Sequence, residues 1–149
     1  MNRSPLRIIF AVSICLALAG IWSACSIPNL EKPECTAARQ SVKEFYSYHF
    51  GNDMKFSTEN LALRAKFLTP EFAASLKDKP AADADVFTTG TSDIPKAFRV
   101  GGCEVTAADS TRIEVLLFWK DETRSEQKKI YVDAVNRGGT WLVDKISTR

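Results

Sequence analysis

The sequence predicts an α+β domain: N-terminal helices packed on a curved antiparallel sheet. Two observations predict it, namely apolar residues spaced by 3 or 4 between Cys35 and Leu76 and an alternation of period 2 from Lys96 to Ser147. Helices come first and strands afterwards, the order expected when helices segregate to one face of a sheet.

Before that domain stands a different kind of segment. Met1 to Arg7 carry Arg3 and Arg7 and no acid, and Ile8 to Ile21 are almost wholly apolar over 14 residues. A spanning helix needs about 18 or more such residues, so this run reads as the charged and hydrophobic regions of an export signal occupying residues 1–24. Ser23-Ala24-Cys25 resembles the end of a bacterial lipobox, in which the cysteine after the cleaved bond is diacylated and becomes the mature N-terminus. Trp22 departs from the Leu usual there, and the alternatives are an ordinary signal peptide and, behind it, an uncleaved anchor. Lipidation at Cys25 would make the chain an envelope lipoprotein facing the periplasm or the exterior, held to the membrane by acyl chains such as palmitate.

Cysteine arithmetic favours that reading. Of the four cysteines, Cys15 leaves with the signal and Cys25 takes the lipid. Cys35 and Cys103 remain as a pair able to oxidise outside the cytoplasm. A disulfide is the expectation; two separately buried thiols or a redox pair are the alternatives.

Of 149 residues, 125 follow the signal, enough for one core and one domain. The signal removes two arginines from 20 Lys+Arg and none of the 18 Asp+Glu, so the mature side chains balance. A neutral chain without a dense basic run has no electrostatic footprint for nucleic acid.

Ser26 to Pro33, with two prolines and no periodicity, completes a tether over residues 25–33. The domain, residues 34–149, opens with a helix whose stripe is Cys35, Ala38, Val42, Phe45 and His49, and Gly51 marks its stop. A second helix is expected over Thr58 to Leu68 with Ser57 as cap. Thr69-Pro70-Glu71 then reads as N-cap, N1 proline and first-turn acid of a third helix reaching Lys77. Lys79 to Pro95 is loop-like in composition.

Strands follow. Ala97 to Val100 is short, Gly101-Gly102 a turn or bulge, and Cys103 to Thr106 its continuation. Thr111 to Lys120 places Ile113, Val115, Leu117 and Trp119 on one face and Leu116 and Phe118 on the other. Asp121 to Gln127 reads as a solvated hairpin connection, Lys129 to Val135 as a strand, Asn136 to Gly139 as a turn, and Thr140 to Ser147 as the last strand.

Val42-Lys43-Glu44-Phe45-Tyr46, then Phe67-Leu68-Thr69-Pro70-Glu71-Phe72, Phe98-Arg99-Val100-Gly101 and Gly139-Thr140-Trp141-Leu142-Val143-Asp144-Lys145-Ile146, taken in order, resemble bacterial lipoproteins of a domain-of-unknown-function family in the NTF2-like superfamily. The similarity spans residues 34 to 147. It implies a cone in which the sheet wraps the helices, with a pocket between them. Members include isomerases and dehydratases as well as non-catalytic binding or assembly domains, so fold does not settle function.

Enzymes of that superfamily place a His or an acid at the bottom of the cone. The candidates are His49, Tyr46, Tyr48 and Asp53. Trp119 and Trp141, with Phe118, are further candidates to line a pocket or bind a partner, with ordinary sheet core as the favoured reading for most of them. Spacing assigns His49 no acid–base partner, and a lone His there also reads as a favourable cation at a helix C-terminus. Asp83-x-Asp85 lacks the Gly and Glu of a calcium loop and reads as a pair of solvated acids. No residue is assigned as catalytic or metal-binding, and no cofactor is expected. The reading is therefore a non-enzymatic binding or assembly domain, taking a protein partner or a small apolar ligand; the alternative is a periplasmic enzyme or carrier acting on a small apolar molecule.

Overall fold

The computed structural model describes residues 31–79 and 83–148. Residues 1–24, read from the sequence as an export signal, and Cys25 lie outside the described residues. Helix α1 (Pro33–Phe50) starts with Pro33 in its first turn beside Glu34 and buries Cys35, Ala38, Val42, Phe45, Tyr46 and His49 along one stripe. Gly51 closes it, its amide donating to the Ser47 carbonyl at 3.2 Å.

Helix α2 (Thr58–Arg64) is capped by Ser57, whose hydroxyl accepts from the Asn60 amide. It is shorter than the sequence suggested. Residues Ala65–Phe67 tighten into a 3-10 turn and Leu68 is already extended. The reason lies downstream: Pro70 disfavours helical backbone at Thr69, so the chain must straighten before it. Straightening serves the tertiary structure, because Leu68 bridges Val143 in parallel and the Thr69 amide donates to the Val143 carbonyl at 2.9 Å. Helix α3 (Pro70–Lys77) begins at once, with the Thr69 hydroxyl accepting from the Phe72 amide. Among the described residues no helix is long and apolar enough to cross a membrane.

Four strands form one antiparallel meander in the order β1 (Ala97–Ala107), β2 (Ser110–Lys120), β3 (Ser125–Arg137), β4 (Thr140–Ser147). Gly101-Gly102 is a bulge, not a turn: pairing shifts between Val100 and Cys103 while the strand continues. Strand β3 begins four residues before Lys129, since its ladder with β2 runs out to Lys120 opposite Ser125. The hairpin connection shrinks to residues 121–124, where the Asp121 carboxylate accepts from the Thr123 and Arg124 amides. Gly138 and Gly139 both have positive φ, +61° and +93°, the combination that matches a two-residue turn to strand twist.

The core lies between α1 and the inner face of the sheet. Ile113, Val115, Leu117 and Trp119 of β2, Ile130, Val132 and Ala134 of β3, and Trp141 and Val143 of β4 are all buried there. On the opposite face Leu116 is also buried and Phe118 half-buried, as its central strand position requires. A disulfide joins Cys35 in the first turn of α1 to Cys103 on β1, with Cα atoms 5.7 Å apart and a sequence separation of 68. It ties the helix to the sheet at the bulge.

Candidate functional site

The C-terminal end of α1 delivers His49 into the core with its side chain wholly buried. Three elements converge on it. Arg64, at the end of α2, donates from Nε to His49 Nδ1 at 2.7 Å. Asp85, from the segment before β1, places both carboxylate oxygens 3.0 Å from His49 Nε2. An arginine can only donate, so Nδ1 is the acceptor and the imidazole carries its hydrogen on Nε2, directed at the carboxylate.

Each partner is itself fixed. Asp85 accepts from the Phe87 amide at 2.9 Å and from the Thr88 hydroxyl at 2.8 Å, an Asx turn that folds the loop around its own side chain. The Arg64 guanidinium donates to the carbonyls of Asn60 and Asp53 at 2.8 and 2.7 Å. Burial lowers its basicity and the charge of Asp85 works against that loss. Tyr46, one turn before His49, donates to the Phe87 carbonyl at 2.8 Å. Its burial, with the Asp85 charge adding, pushes the phenol well above its ordinary range. Phe45 stacks parallel to the imidazole at 5.7 Å and Phe87 meets it edge-on at 5.2 Å.

The result is a buried Asp–His–Arg chain sealed by aromatic rings. The five polar side chains Tyr46, His49, Arg64, Asp85 and Thr88 are nearly or wholly buried, and each has a named partner. Chemically, the carboxylate and imidazole have the alignment of a proton-relay pair. The outer nitrogen that such a pair offers a substrate is here occupied by Arg64.

The residues singled out by sequence are dispersed. Tyr46 and His49 belong to this network. Trp119 is buried on β2, its indole donating to the Asp93 carbonyl at 3.1 Å with Arg124 and Lys128 over the ring. Trp141 is buried on β4, and its carbonyl accepts from the Ser41 hydroxyl of α1 at 2.6 Å. Tyr48 is half-buried against Phe67 and Lys66, and Asp53 serves Arg64 through its backbone. Hollows of about 500 Å³ beside α1 and β1 and about 550 Å³ around Asp53 to Asn60 are lined by other residues than Tyr46, His49, Trp119 and Trp141. Of the two loop acids read as solvated, Asp83 is exposed and pairs with Lys55 at 3.0 Å, whereas Asp85 is wholly buried. The correction has a visible source: Phe87, an apolar residue in a polar stretch, pulls the turn inward and Asp85 with it.

Arg64, Asp85 and Thr88 were not legible as a set. The available signals were Asp85 placed two residues before Phe87 and three before Thr88, an Asx-turn spacing, and Arg64 three residues after buried Leu61.

Comparison with solved structures bears on the fold. A chain described as an Ntf2-like, potential transfer protein TraM from the Gram-positive conjugative plasmid pIP501 superposes with a TM-score of 0.53 at 17% identity, covering 75% of this chain and 94% of that one. The fold is NTF2-like. A protein of unknown function from Bacteroides thetaiotaomicron VPI-5482 aligns at TM-score 0.49 and 22% identity, over 76% of this chain and 90% of that one, too low a score to carry an argument. No protein-family model and no curated protein matches the chain.

Proposed function

We propose that this chain is an exported envelope lipoprotein, acylated at Cys25, whose NTF2-like domain is a non-enzymatic binding or assembly module. The observation that supports a non-enzymatic reading is the occupancy of His49: Arg64 holds Nδ1, Asp85 holds Nε2, and the ring is wholly buried. A general base must reach the proton it abstracts, and no ring nitrogen here is free to do so. The network instead ties α1, α2 and the loop before β1 to one point, the work of a structural tie.

Export is supported by the Arg-led apolar run and by Ser23-Ala24-Cys25. The Cys35–Cys103 bridge suits an oxidising compartment and leaves Cys25 outside that pair. A second reading, a periplasmic enzyme or carrier for a small apolar molecule, draws on the carboxylate–imidazole alignment; it requires Arg64 to swing away from His49.

The test is intact mass of the membrane-extracted protein beside Cys25→Ser, with alkylation before and after reduction. The expected result is a chain starting at residue 25 with acyl mass, lost in the variant, and two thiols alkylated only after reduction. A soluble product without acyl mass overturns the lipoprotein assignment.

A further inference from the structure

We infer that the hollow between α1 and β1 is a docking groove for an extended acidic segment of a partner protein, which adds as a strand to the outer edge of β1. The inference rests on the binding-module reading above and names its partner class. Three observations carry it.

The first is topological. Strand β1 is the first of the four in sheet order, so along one side only β2 pairs with it among the described residues. At the opposite edge, β4 is partly covered by the Leu68 bridge. An uncovered edge presents alternate N–H and C=O groups as a template for a further strand, and peptide recognition by strand addition uses that template for affinity and adjoining pockets for specificity.

The second is the adjoining pocket. About 500 Å³ of open space lies against residues 98–100 of this edge, with Phe98 and Val100 as apolar lining and Arg39, Gln40 and Lys43 contributed by successive turns of α1. Both sides of the groove are anchored, because the Cys35–Cys103 bridge fixes α1 to β1 next to it. Little order therefore has to be created on binding.

The third is charge. Arg39, Lys43 and Arg99 line the groove against one acid, Glu31, which already pairs with Arg39. Lys43 and Arg99 form no ion pair among the described residues. In a chain whose side-chain charges balance overall after residue 24, a local cationic excess selects an acidic occupant. On the α1 side of the added strand, apolar side chains would rest on Phe98 and Val100, which face α1, and a carboxylate there would meet Arg39 or Lys43, while the carboxylates on the alternate face would meet Arg99.

The experiment pans random peptides displayed on phage against the full chain purified in detergent, followed by binding of the enriched peptides to Lys43→Glu and Arg99→Glu, with circular dichroism as the check on folding. Supporting results are enrichment of acidic residues alternating with β-branched or aromatic ones, amide shifts concentrated at residues 98–100, and weakening by about fivefold or more per charge reversal. Enrichment without acids, or binding indifferent to both variants, overturns the groove. So does loss of phosphatidylglycerol-vesicle binding in the same variants without peptide enrichment, which would assign the cations to a membrane surface. Failure of the lipoprotein reading appears separately, in the acyl mass at Cys25.

Discussion

Replacing Asp85 with alanine strikes the point on which the polar core depends. The substitution removes the acceptor of His49 Nε2–H, of the Phe87 amide and of the Thr88 hydroxyl, and takes away the acidic charge that acts most strongly on buried Arg64. Each buried donor left unpaired costs about 1–3 kcal/mol. Simple addition overstates the loss, since the Thr88 hydroxyl also lies 3.4 Å from the Asp85 carbonyl and can turn to it. The unpaired donors, together with the lost attraction of the Asp85 charge for Arg64, put the expected destabilisation at about 3–5 kcal/mol. Asp85→Asn separates the contributions. Its amide oxygen can still accept from His49 and Phe87 while its nitrogen donates to Thr88, at the cost of setting that nitrogen against the Nε2–H, so the charge and one of the two Nε2 contacts are lost and the cost should fall below that of alanine. Urea unfolding at neutral pH with the disulfide intact measures both. Exposed Asp83→Ala, which removes only the surface pair with Lys55, serves as the control and should stay within about 0.5 kcal/mol of the parent. If Asp85→Ala unfolds within about 1 kcal/mol of the parent, the network is not a structural tie and the reasoning fails.

Reduction of Cys35–Cys103, which spans 68 residues, should cost about 4 kcal/mol by relaxing the unfolded chain, read as the shift in urea midpoint with and without reductant. Thr69→Ala removes the cap of α3 and a 2.8 Å bond to Asp144, and should cost about 1–2 kcal/mol in the same assay. Asp93 is held below its ordinary carboxylate range chiefly by the bond from Arg124, and Glu126 by bonds from Lys128 and then Arg124. Lowered folded values mean that the unfolded chain takes up protons first, so this contribution is present above the ordinary carboxylate range and fades as pH falls through the lowered one. Asp93→Asn should therefore flatten the loss of stability between about pH 5 and pH 2, followed by acid titration of the circular-dichroism signal.

Much of the fold was legible because its local signals agree with its tertiary needs. The α1 stripe, the Ser57 and Thr69 caps, the glycine-rich hairpin and the alternating β2 face each follow from a short-range rule. The departures arise where a distant partner decides. Helix α2 stops at Arg64 because Leu68 has to reach Val143, and β3 lengthens because residues 125–128 find partners on β2. The candidate site was half legible. His49 and Tyr46 stand out on their stripe, but Asp85 is 36 residues away in a stretch rich in polar residues, and sequence spacing alone does not report a pairing at that range. What draws it in is the burial of Phe87, a tertiary event.

The most direct test of the central claim uses the fact that the chain has a single histidine, so its imidazole signals need no assignment. Long-range ¹H–¹⁵N correlation spectra of the uniformly labelled protein near neutral pH report which ring nitrogen carries the hydrogen and how fast it exchanges with water. The expected result is one neutral tautomer, protonated at Nε2, with an exchange-protected N–H. A ring protonated at Nδ1, or one averaging rapidly between tautomers in contact with solvent, would contradict the closed Asp85–His49–Arg64 chain and with it the case for a non-enzymatic domain.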